Sequence, residues 1–442
     1  MAVLDIAVVG SGISGLSAAW LLSQRHRVTL FEGDNRLGGH ANTVDCATTP
    51  VDTGFIVYNE ATYPNLTALF DYLNVRTAPS QMTLSISLDG GTYEYAGSGP
   101  MQAVGQIKNL TRPGHWRLIA DLVRFFRTAA AQSKDLPPHT TLGEFLARHN
   151  YSQGFIDRHL LPMAGAIWSA APRLMLDYPA KSFIRFFQNH GLLKLTNRPQ
   201  WRTVEGGSRQ YVRKLVADGR FKSLLNLPVT ALHRSPGGCV ITVAGGYRQS
   251  FDHVVIATHA DQALTLLGDA TEAERQKLST FRYSRNRALL HTDASLMPKR
   301  RRLWSSWNCL AREGQASSSI TYWMNALQPL ATDEDLFVSL NPLTEPDQAS
   351  VKAQFLYEHP IFTAEAVHNQ QHLWDLQGVN RIWFCGAYFG AGFHEDGLQS
   401  GLAVAEQLGG VRRPWAVADE SGRICVGNRP DVASRSIMET AE

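Results

Sequence analysis

The segment Gly10 to Gly15 (GSGISG) has the residue types and spacing to hold a phosphate group. It lies between a strand-like apolar run and a segment with helical apolar spacing, and Glu32 ends a second strand-like run. In such a unit Gly10 permits a tight turn, Gly12 lets the backbone approach a pyrophosphate, and Gly15 lets the helix pack closely on the strand. The helix N-terminus then faces the phosphate charge, and Glu32 can accept hydrogen bonds from ribose hydroxyls. The sequence therefore predicts a dinucleotide site, and not merely a glycine-rich turn.

A second pair of glycines follows this unit, in residues 35–40 (NRLGGH), and residues 51–55 (VDTGF) come shortly after it. Gly38 and Gly39 allow the backbone to run against a flat ligand. Arg36 can reach a phosphate. These features bear on whether the dinucleotide is FAD or NAD.

The elements that position these residues can be read from the apolar periodicity. Residues 4–9 and 27–31 favour strands and residues 14–23 favour a helix, which makes a βαβ unit. Residues 77–97 alternate around Gly90-Gly91 and predict an antiparallel ribbon. Further elements are predicted as helices over 115–131 and 141–168, hairpins and a buried strand over 229–257, a last strand over 381–385, and a last helix from about 397 to 408.

In residues 32–55 the chain resembles the flavoprotein group of flavin amine oxidases, phytoene-type desaturases and protoporphyrinogen oxidases. The resemblance rests on the acidic residue that leads into the Arg-x-Gly-Gly turn and on the Asp-x-Gly segment, and it continues in order through residues 201–208, 226–232, 252–258 and 381–401. It implies noncovalently bound FAD. The cofactor-binding residues that the motifs imply are Gly10, Gly12, Ile13, Ser14, Gly15, Glu32, Arg36, Gly38, Gly39, His40, Gly54, Phe55, Val229, Gly386, His394 and Leu398.

The last motif departs from the group's pattern. Phe393 fits the aromatic position of the amine-oxidase substrate cage, but His394 replaces the usual Met and Asp396 replaces the usual Gly. The lysine that several amine oxidases hold near the flavin has no counterpart. His394 and Glu395 are therefore the candidates for proton handling or for tuning the flavin, with a structural role as the alternative.

Three segments, 166–169, 186–193 and 394–397, are similar to a bacterial branch of predicted NAD/FAD-binding proteins that is associated with genes for fatty-acyl methylation and cyclopropanation. This similarity implies an acyl substrate. Trp168 and His190 lie in these aromatic stretches, where they either line a substrate pocket with Phe393 or belong to the core. Cys385 lies where the relatives have a small residue, so we do not expect a covalent flavin link.

Composition narrows the function class. The chain has 442 residues, of which 44% are hydrophobic and 18% charged, and its formal charge is +3, so no nucleic-acid partner is expected. Five cysteines without paired spacing predict neither a disulfide framework nor a metal site. The N-terminus has no signal-peptide pattern, which predicts a cytoplasmic protein. Residues 116–126 and 183–195 are amphipathic with flanking basic residues, and they leave peripheral membrane contact open. The oligomeric state stays undetermined.

The sequence thus predicts an α/β protein with a Rossmann-type FAD-binding domain and an interleaved α+β substrate domain, as in amine oxidases. The FAD domain is predicted over 1–76, 197–265 and 375–412, the substrate domain over 77–196 and 266–374, and a loosely attached polar tail over 413–442. The function expected is an FAD-dependent oxidoreductase that removes a hydride from a hydrophobic small molecule or lipid, such as a modified fatty acyl chain. An amine oxidase and a non-catalytic flavin-holding redox partner are the alternatives.

Overall fold

The computed structural model describes residues 2–137, 139–168, 172–194, 198–312 and 318–427. A parallel sheet of five strands forms the base of the cofactor half, and the first strand, Asp5–Val9, lies at its centre. Its residues from Ile6 to Val8 are fully buried, as expected for a parallel strand with both faces covered. The spatial order of the strands is Lys222–Leu224, Arg27–Phe31, Asp5–Val9, His253–Ile256 and Ile382–Phe384.

The first helix (Ile13–Leu22) and the last helix (His394–Gly409) pack against each other beside this sheet. Glycines make the close approach possible. A Cβ atom at Gly401 would lie 2.2 Å from the carbonyl oxygen of Ser14, and one at Gly15 would lie 1.9 Å from the carbonyl oxygen of Gly10. Since real Cβ atoms do not approach so closely, these positions require glycine for packing.

A seven-stranded, mostly antiparallel sheet forms the other half of the molecule. One of its pairs, Leu84–Leu88 with Trp307–Ala311, is parallel. A second hydrophobic core lies between this sheet and the helices that cover it, so each half has an interior of its own. The order of the strands is Val351–Ile361, Arg282–His291, Phe337–Leu340, Ser318–Trp323, Trp307–Ala311, Leu84–Leu88 and Tyr93–Ala96.

Smaller elements complete the described part of the chain. Three of them are small sheets. The first pairs Thr43–Cys46 with Thr49–Asp52, and the second joins Val229–Ser235, Gly238–Val243 and Arg248–Phe251. The third joins Tyr58–Asn59, Trp201–Val204 and Thr77–Ser80. The further helices of seven or more residues are Pro64–Tyr72, Pro113–Gln132, Leu142–Arg148, Leu161–Trp168, Ala180–Asn189, Arg209–Asp218, Ala260–Leu266, Glu272–Leu278 and Ala364–Gln370. Shorter helices span Pro100–Val104, Ile107–Leu110, Gln153–Phe155 and Met324–Leu327.

The predicted βαβ unit, the ribbon around Gly90-Gly91 and the α/β fold class are confirmed. The predicted start of the last helix is wrong by three residues. An oxygen of Asp396 accepts a hydrogen bond from the backbone N–H of Phe393, so the helix already begins at His394. The sequence did not reveal this start, because the residues of the first helical turn are polar and so do not extend the apolar periodicity of the helix.

The predicted loose tail is wrong for residues 413–427, and residues 428–442 lie outside the described part of the chain. Arg413 is buried and pairs with Glu406 at 2.8 Å, while the ring of Trp415 stacks on Trp20. Further along, Arg423 binds Asp396 in the last helix. Long-range contacts that sequence spacing does not reveal therefore hold this segment in place.

The two amphipathic stretches turn their apolar faces inward, as helices of an ordinary domain do, and peripheral membrane contact stays a prediction. Phe183 and Phe187 are fully buried, and Phe126 lines an internal cavity. Leu195, at the end of the second stretch, lies outside the described residues. Among the described residues, no helix combines the length and the apolar character that a bilayer span requires.

Candidate active site

A cavity of about 1230 Å³ runs between the two halves of the molecule. Cavities for single small ligands measure roughly 300–1,000 Å³, so this one has room for a cofactor and a second molecule. We call the part at the carboxyl ends of strands Asp5–Val9 and His253–Ile256 the nucleotide end. The part between strand Leu84–Leu88 and helices Pro113–Gln132 and Leu161–Trp168 is called the substrate arm.

The nucleotide end has the features that a dinucleotide requires. A Cβ atom at Gly12 would meet nothing within 4 Å, so the glycine opens space toward the cavity that the protein itself does not fill. The N-terminus of the first helix faces the same space, and its first N–H groups have no partners within the helix. A carboxylate oxygen of Glu32 accepts a hydrogen bond from the backbone N–H of Ser11 at 2.9 Å, which fixes the acidic group at the cavity wall. The residues present therefore fit a pyrophosphate and a ribose.

Most of the residues inferred from the sequence lie together in this one cavity. Those that line it are Gly10, Gly12, Ile13, Ser14, Glu32, Gly39, His40, Gly54, Phe55, Trp168, His190, Gly386, Phe393 and His394. The tertiary fold thus brings together segments from the start, the middle and the end of the chain.

Five inferred cofactor residues lie outside the cavity wall: Gly15, Arg36, Gly38, Val229 and Leu398. Arg36 donates hydrogen bonds to the carbonyl oxygens of Gly39 and Ala41, so it braces the glycine turn. Val229 pairs with Val243 in a surface hairpin, and Leu398 is fully buried in the core. Contacts of these residues with the cofactor remain a prediction.

His394 lies at the centre of the site, where its ring stacks on Phe55 with centroids 3.9 Å apart. Its Nε2 atom lies 2.6 Å from the hydroxyl oxygen of Tyr211. Burial lowers the pKa of His394 to about 3 and raises the pKa of Tyr211, so both groups are neutral near pH 7. This arrangement supplies a fixed, uncharged hydrogen-bonding pair at the cavity wall.

Glu395, the other catalytic candidate, does not line the cavity, and the structure gives it a structural role. Its Oε1 atom accepts hydrogen bonds from the backbone and side-chain nitrogens of Asn65 and from the amide of Gln399, and its Oε2 atom accepts from the backbone N–H of Leu66. The carboxylate thus caps helix Pro64–Tyr72 from the last helix. His394 and Glu395 are adjacent in sequence, but their side chains point in different directions, because consecutive residues of a helix are rotated by about 100° around its axis.

Asp396 forms a buried ion pair that joins the last helix to residue 423. The Nε atom of Arg423 lies 2.6 Å from Oδ1 of Asp396, and another guanidinium nitrogen donates to the carbonyl oxygen of Thr62. Burial raises the pKa of Asp396, and Arg423 opposes this shift. The ion pair lies next to Phe393, because Asp396 also accepts a hydrogen bond from the backbone N–H of that residue.

Trp168, His190 and Phe393 form an aromatic cluster with Phe186 where the substrate arm meets the nucleotide end. Nδ1 of His190 donates to the carbonyl oxygen of Phe186, which leaves Nε2 as an unpaired acceptor, and burial lowers the pKa of His190 to about 3. Nε1 of Trp168 is likewise a buried donor without a partner. Both residues line the cavity, and their contact with a substrate stays a prediction.

Three histidines at the nucleotide end, His40, His259 and His359, form a group that sequence reasoning only partly found. Their rings lie 5.4 to 6.4 Å apart around His40. Burial lowers the pKa of each, and the like charges of His359 and His259 lower that of His40 further. In the part of the chain that the structure describes, no group of His, Cys, Asp or Glu is placed to hold a metal ion. His259 follows strand His253–Ile256, so the rule that ligands bind at the carboxyl ends of parallel strands could have identified it.

The family model for flavin containing amine oxidoreductase matches residues 13–313, which is more than half of the chain. The chain belongs to this family. The predicted resemblance to the flavin amine oxidase group is confirmed, and FAD is the cofactor. Cys385 is buried and lies outside the cavity wall, in agreement with a noncovalent cofactor.

Individual relatives place the chain within a functionally varied group. It is 27% identical over 256 residues to a Mycobacterium tuberculosis protein named as a flavin-containing monoamine oxidase, and the match covers 56% of this chain and 55% of that protein. The chain thus spans about half the length of this curated relative. Its fold is similar to cyclohexylamine oxidase from Brevibacterium oxydans (18% identity, TM-score 0.65, 92% and 99% of the two chains) and to a CLA-producing fatty acid isomerase from P. acnes (14% identity, TM-score 0.64, 91% and 97%). At these identities the structural likeness establishes the fold alone.

Proposed function

We propose that the protein removes a hydride from a hydrophobic substrate, and that this substrate is an acyl chain. The observation that carries the proposal is the apolar substrate arm, which ends at Phe393 beside His394. Its wall includes Leu84, Ile86, Ile119, Leu122, Phe126 and Met163. An extended hydrocarbon chain would bury its surface along such a wall, and each buried methylene contributes about 0.8 kcal/mol.

Bound FAD supplies the two-electron acceptor. The protein's own residues orient the chain and shield the reacting carbon, and of the two hydrogens that leave the substrate one would pass to bound FAD as a hydride and the other to solvent as a proton. His190 is neutral down to a pH of about 3, so its Nε2 atom can accept a hydrogen bond from a polar group of the substrate. The N–H of Trp168 can donate one to the same region.

The charges of the cavity wall argue against an amine as the preferred substrate. The aromatic cluster around Phe393 could hold an alkylammonium ion by cation–π contacts, but a nearby carboxylate would compensate the lost hydration of its charge more fully. In the described residues the acidic side chains of the wall are Glu32, at the nucleotide end, and Glu358, which pairs with Arg285 and His259. An amine substrate, suggested by the names of some relatives, is therefore the second candidate, and a flavin-holding partner without turnover is the third.

Peripheral membrane contact also belongs to the proposal, at a surface that residues 97–117 form and that reaches only the exposed start of the first amphipathic stretch. Lys108, Arg112 and Arg117 lie in residues 97–120, which contain no Asp or Glu. Residues 97–100 line the cavity, so this surface adjoins its wall. A lipid bilayer containing anionic phospholipids complements this charge and apolar exposure. The large apolar side chains exposed here are Met101, Ile107, Leu110 and Trp116.

The proposal is tested by anaerobic incubation of the purified holoprotein with liposomes that carry unsaturated, methylated or cyclopropane acyl chains, and separately with primary amines and polyamines. We expect bleaching of the flavin absorbance by at least one acyl substrate. Bleaching by amines and by no lipid would establish the second candidate. Bleaching by neither class would favour the third.

Membrane contact has its own test, cosedimentation with vesicles of phosphatidylcholine with and without phosphatidylglycerol. Wild-type protein should sediment with the anionic vesicles, and the exposed-residue variant Ile107→Asp should remain in solution. Equal sedimentation of both proteins would exclude this surface as the docking site.

A further inference from the structure

One cationic side chain, that of Arg198, lines the cavity among the described residues. It is exposed and yet belongs to the wall, which places it at an opening of the cavity to solvent. Its Nε atom donates to the carbonyl oxygen of Lys194 at 2.8 Å, and this bond orients the guanidinium group. No carboxylate of the described residues lies within ion-pair distance of it, so its two terminal nitrogens are available to a ligand.

His159, in the same wall, provides a second and independent observation. Its side chain is only 8% exposed, and its Nε2 atom has no hydrogen-bond partner. The hydroxyl of Tyr95 donates to the carbonyl oxygen of Arg158, so Nδ1 of His159 must donate to Tyr95 and Nε2 carries a free lone pair. Arg198 and His159 line the same cavity, and burial, followed by the charge of Arg198, lowers the pKa of His159 to about 4.

We propose that Arg198 and His159 form a head-group site for an anionic amphiphile whose apolar chain occupies the substrate arm. This inference rests on the proposed function and adds the charge of the substrate. A guanidinium group binds a carboxylate or a phosphate through two parallel hydrogen bonds. The free acceptor of His159 suits a hydroxyl group or a water molecule next to that anion. Either a free fatty acid or a phospholipid phosphate could supply the anion.

Equilibrium binding to the holoprotein, followed by tryptophan fluorescence, tests the site without requiring turnover. The probes share a twelve-carbon chain: dodecanoate, a lauroyl lysophosphatidylglycerol, dodecanol and dodecylammonium. We expect wild-type protein to bind the two anionic probes at least about tenfold more tightly than dodecanol. Preference for dodecanoate would indicate free fatty acids, and preference for the lysophospholipid would indicate phospholipids.

The variant Arg198→Gln should lose at least about tenfold in affinity for the anionic probes and bind dodecanol as before. Arg198→Lys, which keeps the charge but not the paired donors, should lie between wild type and Arg198→Gln. Arg185→Gln is the matched control, because Arg185 is an exposed cation of helix Ala180–Asn189 outside the cavity wall.

Unchanged affinity of Arg198→Gln for the anionic probes, or tightest wild-type binding of dodecylammonium, would overturn the inference. If that happens while uncharged acyl esters still bleach the flavin, the proposed function stands and only the head-group site fails. If the anionic probes bind through Arg198 but no acyl compound reduces the flavin, the site stands and the proposed reaction fails.

Discussion

The nucleotide end and the substrate arm of the cavity are built in different ways. The nucleotide end consists of glycines, a helix N-terminus and one acidic residue that strand Arg27–Phe31 positions. The substrate arm consists of side chains from one strand and two helices, which are separate segments of residues 84–168. Backbone groups recognise a cofactor common to a whole family, whereas the side chains can vary with the substrate.

This difference suggests how substitutions should act. At the nucleotide end a single added side chain should exclude the cofactor. In the arm a single change should alter affinity or rate while the cofactor stays bound. From the largest expected effect to the smallest, the substitutions at Gly12 and His394 test this division, and the substitution at Arg423 and a change of pH test the packing that supports the cavity.

Gly12→Val should abolish FAD binding and give colourless protein. The added side chain would occupy the open space that the fold leaves above Gly12 for the pyrophosphate. The absorbance of the purified protein near 450 nm, with about one flavin per chain expected for wild type, measures the effect. Gly237→Val is the matched control, because a Cβ atom there also meets nothing but lies in an exposed hairpin turn. Yellow Gly12→Val protein with full flavin content would show that backbone approach is not required.

Arg423→Gln should lower the free energy of unfolding by about 3–5 kcal/mol, since it leaves the buried carboxylate of Asp396 without its partner. Denaturant unfolding of the holoprotein provides the measurement. Lys277→Gln breaks the ion pair with the exposed Asp375 and should cost less than about 1 kcal/mol. Equal losses in the two variants would mean that residues 413–427 do not stabilise the site.

His394→Ala should retain FAD and slow flavin reduction by about tenfold or more, because it removes the ring that stacks on Phe55 and bonds Tyr211. Glu395→Gln should instead lower stability with a near-normal rate, since its carboxylate caps a neighbouring helix. Stopped-flow reduction and thermal unfolding of both variants separate the two effects. A slow but fully stable Glu395→Gln protein would return Glu395 to the catalytic candidates.

Acidification should reduce the stability modestly, between about pH 6.5 and pH 4. The folded-state pKa values of the buried histidines lie below their ordinary value of 6.5, so the unfolded chain binds more protons in this range and stability falls as pH falls. Asp52, whose pKa burial raises to about 6, acts in the opposite direction, as do Glu395 and Asp396. Because the histidines outnumber these carboxylates, the melting temperature should be lower at pH 5.5 than at pH 7.5. A higher melting temperature at pH 5.5 would mean that the carboxylates dominate.

The amino-acid sequence by itself determined the cofactor half of this protein. Gly10, Gly12, Gly15 and Glu32 could be assigned from spacing, because a βαβ unit is local and each position has its own steric or hydrogen-bonding requirement. Trp168 and His190 were candidates for the pocket because they lie in aromatic stretches of the sequence, and Phe393 was a candidate through the resemblance to the amine-oxidase substrate cage.

Only the tertiary structure decided the direction and partners of the remaining side chains. It directed the side chain of His394 toward the cavity and made the carboxylate of Glu395 the cap of a neighbouring helix. It also paired Arg423 with Asp396. It also placed Arg198 and His159 in the wall of one cavity. Some of these contacts join residues that are far apart in sequence, and others depend on which of two consecutive helical residues faces the cavity. Apolar periodicity in the sequence predicts neither kind of contact. The physical reason is that burial and pairing depend on which elements meet, and the packing of the whole chain decides that.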